Sequence, residues 1–203
     1  MKILGINAFH PDSSACIVVD GIVVGAIEEE RLRRIKHWAG YPSQSIQSCL
    51  DITHSSINDI DYIAVNRDPN VHIADKIWFT LKNRPSLQNI ISRLKNRKDV
   101  GSLSTLIADQ FSLDSSVIEK KIFPVEHHMA HLSSTFFTSP FEESVVLSID
   151  GFGDFISTMW GYGKGNKIDV DDYVGFPHSL GLLYFAITQY LGFCNYGDEY
   201  KVM

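Results

Sequence analysis

Two histidines in the segment 126–131 have the spacing of a metal-binding pair. His127 and His131 are four residues apart, so on a helix they lie on one face, where two imidazoles can hold one metal ion about 2 Å from each nitrogen. His128 lies about 100° away around such a helix and is not expected to join them. An ordinary polar helix face has the same pattern, and the spacing alone leaves both interpretations open.

A third metal ligand is predicted at the end of a buried strand. The apolar run 144–149 ends at Asp150, where a carboxylate is costly unless it is paired or coordinated. Ligands usually bind at strand ends in α/β sheets. With His127 and His131, Asp150 makes a set with open positions, suited to a divalent metal that also binds substrate oxygens. A plain Asp-Gly turn is the alternative.

The segment 150–154, Asp-Gly-Phe-Gly-Asp, offers a phosphate site as well. A glycine turn between two strands leaves amide groups that can bind phosphate oxygens. The segment is not a Walker loop, because no Gly-Lys-Ser/Thr opens a helix after it.

Two further candidates lie near the start of the chain. His10 follows the first predicted strand, and a histidine there can serve as a general base or simply occupy a surface turn. Lys36 follows a charged segment; it can pair with a phosphate or remain a solvated side chain.

These residues need a framework of strands and helices to bring them together. Apolar runs and turn signals predict a mixed α/β fold, in which Asp20-Gly21 forms a tight hairpin turn. The strand–turn–strand–turn–strand order at the start recurs weakly from Ser144 onward. The predicted strands are 2–8, 15–20, 22–27, 61–65, 122–125, 144–149, 156–161 and 167–173, and the main helices are 43–53, 127–138 and 180–191.

Composition narrows the class of protein. The chain has 203 residues, a hydrophobic share of 44% and a net charge of −6, which excludes disordered and collagen-like classes and argues against nucleic-acid binding. Three cysteines without paired spacing indicate reduced thiols and a cytoplasmic location. No signal peptide or membrane span is predicted. Lysine and arginine are dense over residues 72–112, which predicts a helical insertion with a basic face. That face is either solvated or recruits an anionic partner.

Several short motifs, in order, resemble one enzyme family over almost the whole chain. The sequence is similar to the N-terminal part of the ATP-dependent O-carbamoyltransferases, which carbamoylate nodulation factors and antibiotics. The resemblance does not extend to residues 72–112. The motifs that carry it are Leu-Gly-Ile-Asn-Ala-Phe-His (4–10), Asp-Ser-Ser-Ala (12–15), Glu-Glu-Glu-Arg-Leu-Arg-Arg (28–34), Lys-His (36–37), Val-Glu-His-His-Met-Ala-His (125–131), Ser-Ile-Asp-Gly-Phe-Gly-Asp (148–154), Phe-Pro-His-Ser-Leu-Gly (176–181) and Gly-Asp-Glu-Tyr-Lys-Val-Met (197–203).

The resemblance implies a fold like that of the actin, sugar-kinase and heat-shock-chaperone ATPases. It implies that residues 1–203 are the first lobe of the N-terminal domain, with the basic insertion at about 72–112, and that the second lobe and the C-terminal domain are absent. The implied reaction makes carbamoyl adenylate from carbamoyl phosphate and ATP. The carbamoyl group then passes to a hydroxyl of a sugar or antibiotic-like acceptor.

The resemblance also assigns roles to residues. It implies that His127, His131 and Asp150 bind a divalent metal, Fe²⁺ first and Zn²⁺ or Mn²⁺ as alternatives. His10 is then the catalytic residue that takes the acceptor hydroxyl proton or assists the breakdown of carbamoyl phosphate. Lys36 binds carbamoyl phosphate, and Gly151 and Gly153 line the ATP phosphates.

Two other functions stay open from sequence. One is a metal-dependent enzyme that makes threonylcarbamoyl adenylate for tRNA, which also carries His-x-x-x-His on a helix. The other is a non-catalytic lobe that binds a nucleotide or a partner, where exposed surface favours a homodimer.

Overall fold

The computed structural model describes residues 1–83 and 103–203. The helices and strands follow the order β1 (Lys2–Asn7), β2 (Ser14–Val19), β3 (Ile22–Glu28), α1 (Glu29–Arg33), α2 (Ser43–Ile52), a 3₁₀ turn (Ile57–Asp59), β4 (Tyr62–Val65), α3 (Ile73–Asn83), α4 (Leu103–Phe111), α5 (Ser115–Glu119), β5 (Ile122–Pro124), α6 (His127–Phe136), β6 (Glu143–Gly153), β7 (Ile156–Lys164), β8 (Lys167–Gly175), α7 (Leu180–Tyr190) and a second 3₁₀ turn (Asp198–Lys201).

The described residues fall into two compact units. Unit 1 comprises residues 1–66 and 103–125, and unit 2 comprises Arg67–Asn83 and Glu126–Met203. Each unit has its own sheet, five-stranded in unit 1 and three-stranded in unit 2. The recurrence noticed from Ser144 therefore corresponds to a second strand–turn–strand–turn–strand sheet.

Unit 1 is built on a mixed sheet with the strand order β3-β2-β1-β4-β5. The first three strands are antiparallel neighbours, β4 pairs with β1 in parallel, and β5 pairs with β4 in parallel. Asp20 and Gly21 have φ values of 51° and 85°, the left-handed conformation that a two-residue hairpin requires at both positions. The prediction of an α/β fold with a mixed sheet is confirmed.

The core of unit 1 lies between this sheet and its helices. Alternate residues of β1, among them Leu4 and Ile6, are buried against the apolar face of α2, represented by Ile46 and Leu50. Fully burying each such side chain stabilises the fold by about 1.5–3 kcal/mol.

Unit 2 is a three-stranded antiparallel sheet, β6-β7-β8, with α6 packed on it. Leu132 and Phe136 of α6 bury against Val146 and Met159 of the sheet. Gly163 permits close packing, since a Cβ there would lie 2.8 Å from the ring of Phe136. The sheet thereby fixes the rotation of α6 about its own axis.

The predicted basic insertion is described only at its two ends. Helices α3 and α4 are these ends, and the part of the prediction that covers residues 84–102 lies outside the described residues. Among residues 1–83 and 103–203, no helix combines the length and the apolar character that a membrane crossing needs.

Candidate metal and phosphate site

Helix α6 presents two stripes of side chains with different surroundings. His128, Leu132 and Phe136 recur at intervals of four and are all buried against the sheet. His127 and His131 form the neighbouring stripe, which the buried stripe holds at a fixed angle. The side chain of His127 is 14% exposed and that of His131 is 49% exposed. The packing of the buried stripe against the sheet therefore sets the direction in which His127 and His131 point.

Two carboxylates fix the first turn of α6. Glu126 accepts hydrogen bonds from the amides of His128 at 3.0 Å and Met129 at 2.6 Å. Asp154 Oδ2 accepts from the His127 amide at 3.0 Å and from the Asp68 amide at 2.8 Å. Carboxylates at a helix start satisfy free amides and match the positive end of the helix dipole. This arrangement ties the start of α6 to the turn between β6 and β7, which begins at Asp154.

Hydrogen bonds with Gly151 and Ser179 hold the backbone and the carboxylate of Asp150 in place. Its Oδ1 accepts the amide of Gly151 at 2.6 Å. Its carbonyl accepts the Ser179 hydroxyl at 3.1 Å, and the same hydroxyl lies 2.8 Å from the carbonyl of Gly151. Ser179 also caps α7, so the end of β6 and the start of α7 hold this carboxylate in place. Its Oδ2 is left facing α6.

Three ligand atoms converge at this point. His127 Nε2 lies 3.0 Å from Asp150 Oδ2 and 3.0 Å from His131 Nε2, and His131 Nε2 lies 3.5 Å from Asp150 Oδ2. Two atoms each about 2.1 Å from one ion are about 3.0 Å apart at a 90° angle and about 3.4 Å apart at a tetrahedral angle. All three separations match ligands that share one ion.

Protons alone do not satisfy this triangle. A ring nitrogen of a neutral imidazole carries either one proton or one lone pair, so it can donate or accept but not both. Each Nε2 here has two close polar neighbours, and one arrangement of protons cannot make both contacts of each atom favourable. If both Nε2 atoms carry protons they repel each other, and if either lacks one its lone pair faces the carboxylate. A cation satisfies all three atoms at once, and the residues therefore fit a divalent metal. The neighbouring imidazoles, that of His127 first and that of His131 second, favour the ionised carboxylate and hold the pKa of Asp150 well below its usual range.

His128 faces away from this triangle, as its angular position predicts. Its Nε2 donates to the carbonyl of Ile156 at 3.0 Å, and its Nδ1 accepts from the Ser148 hydroxyl at 2.8 Å. Burial lowers the pKa of His128. The side chain is a fully bonded core histidine.

A comparison with protein families identifies the family of the chain. A family model described as "Carbamoyltransferase N-terminus" matches residues 2–203. The chain belongs to the carbamoyltransferase family. The resemblance noted in the sequence is confirmed at this level.

Individual relatives agree with the family match. The chain is 37% identical over 206 residues to the uncharacterized protein sll1178 of Synechocystis sp., a match that covers 99% of this chain and 34% of that protein. It is 38% identical over 200 residues to nodulation protein NolNO of Sinorhizobium fredii, covering 97% of this chain and 28% of that protein. The chain spans about a third of the length of these relatives. Among solved structures, YeaZ from Pseudomonas aeruginosa is similar, with a TM-score of 0.43, 11% identity, and coverage of 86% of this chain and 67% of that one.

The two glycines predicted to line phosphates have different surroundings in this carbamoyltransferase-family chain. A Cβ at Gly153 would lie 2.0 Å from Cγ and Cδ2 of His127, whereas a Cβ at Gly151 would meet only Leu182, at 3.9 Å. The Gly151 amide already donates to Asp150. Gly153 therefore has a steric role beside a predicted ligand, and phosphate binding by either glycine stays a prediction.

His10 and Lys36 lie in unit 1, on two segments joined by hydrogen bonds. His10 is exposed, and its Nδ1 donates to the carbonyl of Pro11 at 2.9 Å, which leaves the lone pair of a neutral ring on Nε2. The Ser13 hydroxyl, fully buried, lies 2.9 Å from the carbonyl of His10 and 2.8 Å from that of Gly40. Lys36 is exposed in the loop after α1.

Sequence reasoning missed the side chains that hold the Lys36 loop. Asp12 Oδ1 contacts His37 Nδ1 at 2.8 Å, and Glu30 accepts the His37 amide at 3.0 Å. These three side chains also form a second group that could hold a metal ion, within residues 1–83 and 103–203. Asp12 and His37 have φ values of 66° and 54°, and such strain costs about 1–3 kcal/mol at each residue. The signal available in sequence was the Asp-Ser-Ser motif at 12–14, which carries no information about distance to residue 37.

Proposed function

We propose that this chain forms the metal- and nucleotide-phosphate-binding part of an ATP-dependent carbamoyltransferase. Membership of the carbamoyltransferase family supports the class of reaction. The convergence of His127, His131 and Asp150 within 3.0–3.5 Å carries the metal part of the proposal. The metal is Fe²⁺, Zn²⁺ or Mn²⁺, all of which accept imidazole and carboxylate ligands.

The proposed reaction has two stages. In the first, water releases phosphate from carbamoyl phosphate, and a carbamate oxygen then bonds to the α-phosphorus of ATP as pyrophosphate leaves, which gives carbamoyl adenylate. In the second, the oxygen of an acceptor hydroxyl bonds to the carbamoyl carbon, AMP leaves, and the hydroxyl proton passes to a base. When bound, the metal supplies charge neutralisation and a fixed template for the ATP phosphates.

The chain's own residues have separate tasks in this proposal. His127, His131 and Asp150 hold three positions around the metal and leave others for phosphate oxygens. His10 takes the acceptor proton at Nε2, the atom left with a lone pair by its Nδ1 contact. Lys36 supplies a compact positive charge for carbamoyl phosphate.

Equilibrium binding of ATP tests the proposal in the chain as it stands. We expect ATP to bind with Mn²⁺ present and to lose at least tenfold in affinity when the metal is chelated, because the phosphates bind through the metal. Asp150→Asn is expected to have the same effect as chelation. Asp171→Asn removes an exposed carboxylate of β8 and serves as the matched control. Equal ATP affinity with and without metal would contradict the proposal.

A further inference from the structure

Helix α3 (Ile73–Asn83) turns its apolar side outward. Ile73, Ile77 and Leu81 recur at intervals of four in one row along the helix, and they are 50%, 55% and 69% exposed. Trp78 lies in the adjacent row and is 67% exposed. A helix at the surface of a globular protein normally buries its apolar stripe. We call this exposed surface the outer stripe, and it consists of Ile73, Ile77, Trp78 and Leu81.

The opposite side of α3 carries polar groups that have partners within unit 2. Asp75 Oδ2 accepts the Tyr173 hydroxyl at 2.8 Å. Lys76 Nζ donates to the carbonyl of Val71 at 2.6 Å and to that of Pro69 at 3.2 Å. These contacts fix the rotation of α3 about its own axis, because side chains on one helix keep fixed angles to one another. The polar side of the helix therefore faces unit 2 and the outer stripe faces away from it.

The sequence at the end of α3 and after it is strongly basic. The whole chain has 18 basic and 24 acidic residues, whereas residues 82–98 contain six basic residues and no acidic one. The basic residues are Lys82, Arg84, Arg93, Lys95, Arg97 and Lys98. A run of like charges of this kind attracts partners of the opposite sign. The outer stripe is thus followed directly by a charge that complements an anionic surface.

The surface of an anionic phospholipid bilayer matches both features. Its headgroup region takes up the apolar face of an amphipathic helix, while lysine and arginine are attracted to the negative headgroups. Tryptophan is enriched in that region because its ring is apolar and its N–H group is polar. Helix α3 has 11 residues and is about 16 Å long, whereas the hydrocarbon core is about 30 Å thick. It can therefore lie along the bilayer surface but cannot cross the bilayer.

We propose that the outer stripe docks this chain on the surface of an anionic phospholipid membrane. Trp78 and Leu81, the two most exposed members of the stripe, enter the headgroup region. Lys82, exposed at the edge of the same side of α3, lies next to the lipid phosphates. The positive charge of residues 82–98 makes the docking selective for anionic over neutral lipid. This docking goes beyond the proposed function and does not depend on it.

Co-sedimentation of the full chain with vesicles tests the lipid selectivity. One set of vesicles contains equal parts of phosphatidylcholine and phosphatidylglycerol, and the other contains phosphatidylcholine alone. At about 0.1 M salt we expect at least tenfold tighter binding to the mixed vesicles. The difference is expected to shrink at about 1 M salt, because the Debye length falls from about 10 Å to about 3 Å.

Ile77→Ser and Leu183→Ser form a matched pair that tests the position of the contact. Both side chains are 55% exposed and both belong to helices, Ile77 to α3 and Leu183 to α7. We expect Ile77→Ser to weaken binding to the mixed vesicles about tenfold, because it removes apolar surface from the contact, and Leu183→Ser to leave binding unchanged. The Tm of each variant shows whether it is folded.

Tryptophan fluorescence tests the same contact without a serine substitution. A brominated phospholipid quenches a tryptophan that lies against the lipid, and we expect it to quench the unchanged chain. Trp78→Phe is expected to remove that quenching while the variant still binds the mixed vesicles. Quenching that persists in bound Trp78→Phe would place another tryptophan at the lipid and overturn the proposal.

Four other results would also overturn the proposal. They are the absence of binding to the mixed vesicles, equal affinity for the mixed and the neutral vesicles, equal loss of binding in folded Ile77→Ser and folded Leu183→Ser, and a dimeric chain that Ile77→Ser converts to a monomer. The last result would show that a second copy of the chain covers the outer stripe. Sedimentation velocity of the unchanged chain and of Ile77→Ser, without vesicles, measures it.

Discussion

Gly151 and Gly153 are two residues apart, and the structure predicts different consequences for adding a methyl group at each: a clash at Gly153 and an ordinary contact at Gly151. A Cβ at Gly153 would lie 2.0 Å from Cγ and Cδ2 of His127, whereas carbon atoms in ordinary contact are about 3.5–4.0 Å apart. The imidazole must therefore move by about 1.5 Å. Metal–ligand distances tolerate deviations of only about 0.2 Å, so Gly153→Ala removes His127 from the predicted site.

The expected magnitudes follow from that displacement. Overpacking of this kind costs about 1–3 kcal/mol in the free energy of unfolding, and each kcal/mol lowers Tm by about 2–4 °C in a chain of this size. Metal affinity is expected to fall at least about 100-fold, because loss of a ligand exceeds the effect of disturbing the groups that support one. Gly151→Ala is the matched control, since its Cβ would meet only Leu182 at 3.9 Å.

Thermal unfolding and metal titration against a competing chelator measure both effects. We expect Gly151→Ala to match the unchanged chain in Tm and in Zn²⁺ affinity, and Gly153→Ala to fall in both. Equal metal affinity in the two variants would refute the argument that Gly153 is required for the position of His127.

Three further perturbations have defined outcomes. Glu29→Gln is expected to lower the free energy of unfolding by about 3–5 kcal/mol in urea denaturation, because it leaves Arg33, 2.6 Å away, without its buried counter-charge; an effect under 1 kcal/mol would contradict this. Burial raises the pKa of Glu29, but hydrogen bonds from Ser45 and Arg33 outweigh burial and lower the pKa below its ordinary value of 4.5. The stabilisation by ionised Glu29 is therefore present above pH 4.5 and is lost as the pH falls further. Tm measured against pH in the unchanged chain and in Glu29→Gln tests this dependence. His128→Ala is expected to lower the free energy of unfolding by about 2–5 kcal/mol, because it leaves a cavity and removes the partner of the Ser148 hydroxyl and of the Ile156 carbonyl. The metal stoichiometry is expected to stay at one, and loss of the metal from folded protein would show that His128 is a ligand. Ser13→Ala is expected to cost about 0.5–1.5 kcal/mol, and an unchanged urea midpoint would show that its two short contacts contribute nothing.

Local patterns predicted most elements of the fold because the period of apolar residues is a local property. The predicted strands 2–8 and 22–27 are close to the observed Lys2–Asn7 and Ile22–Glu28, and the predicted helix 127–138 is observed as His127–Phe136. β6 is longer than predicted: it runs from Glu143 to Gly153, through the glycine segment expected to be a turn.

The site divides in the same way. Helical spacing and the apolar run before Asp150 are local signals that point to His127, His131 and Asp150, and the structure brings their ligand atoms within 3.5 Å of one another, although Asp150 lies inside β6 rather than at its end. The Asp12–His37 contact spans 25 residues, and the hydrogen bond between Tyr173 and Asp75 spans 98. Such pairs depend on the fold rather than on any window of sequence, so neither the support of the Lys36 loop nor the contact between β8 and α3 could be predicted.

Metal affinity in the unchanged chain and in His131→Ala tests the central claim most directly. His131 has a half-exposed side chain on the surface of α6, so its removal is expected to leave Tm nearly unchanged and any loss of metal is assigned to coordination. We predict that the unchanged chain binds one divalent ion and that His131→Ala binds it at least about 100-fold more weakly, as measured by chelator competition. Equal affinity in the two proteins would contradict the assignment of this triangle as a metal site.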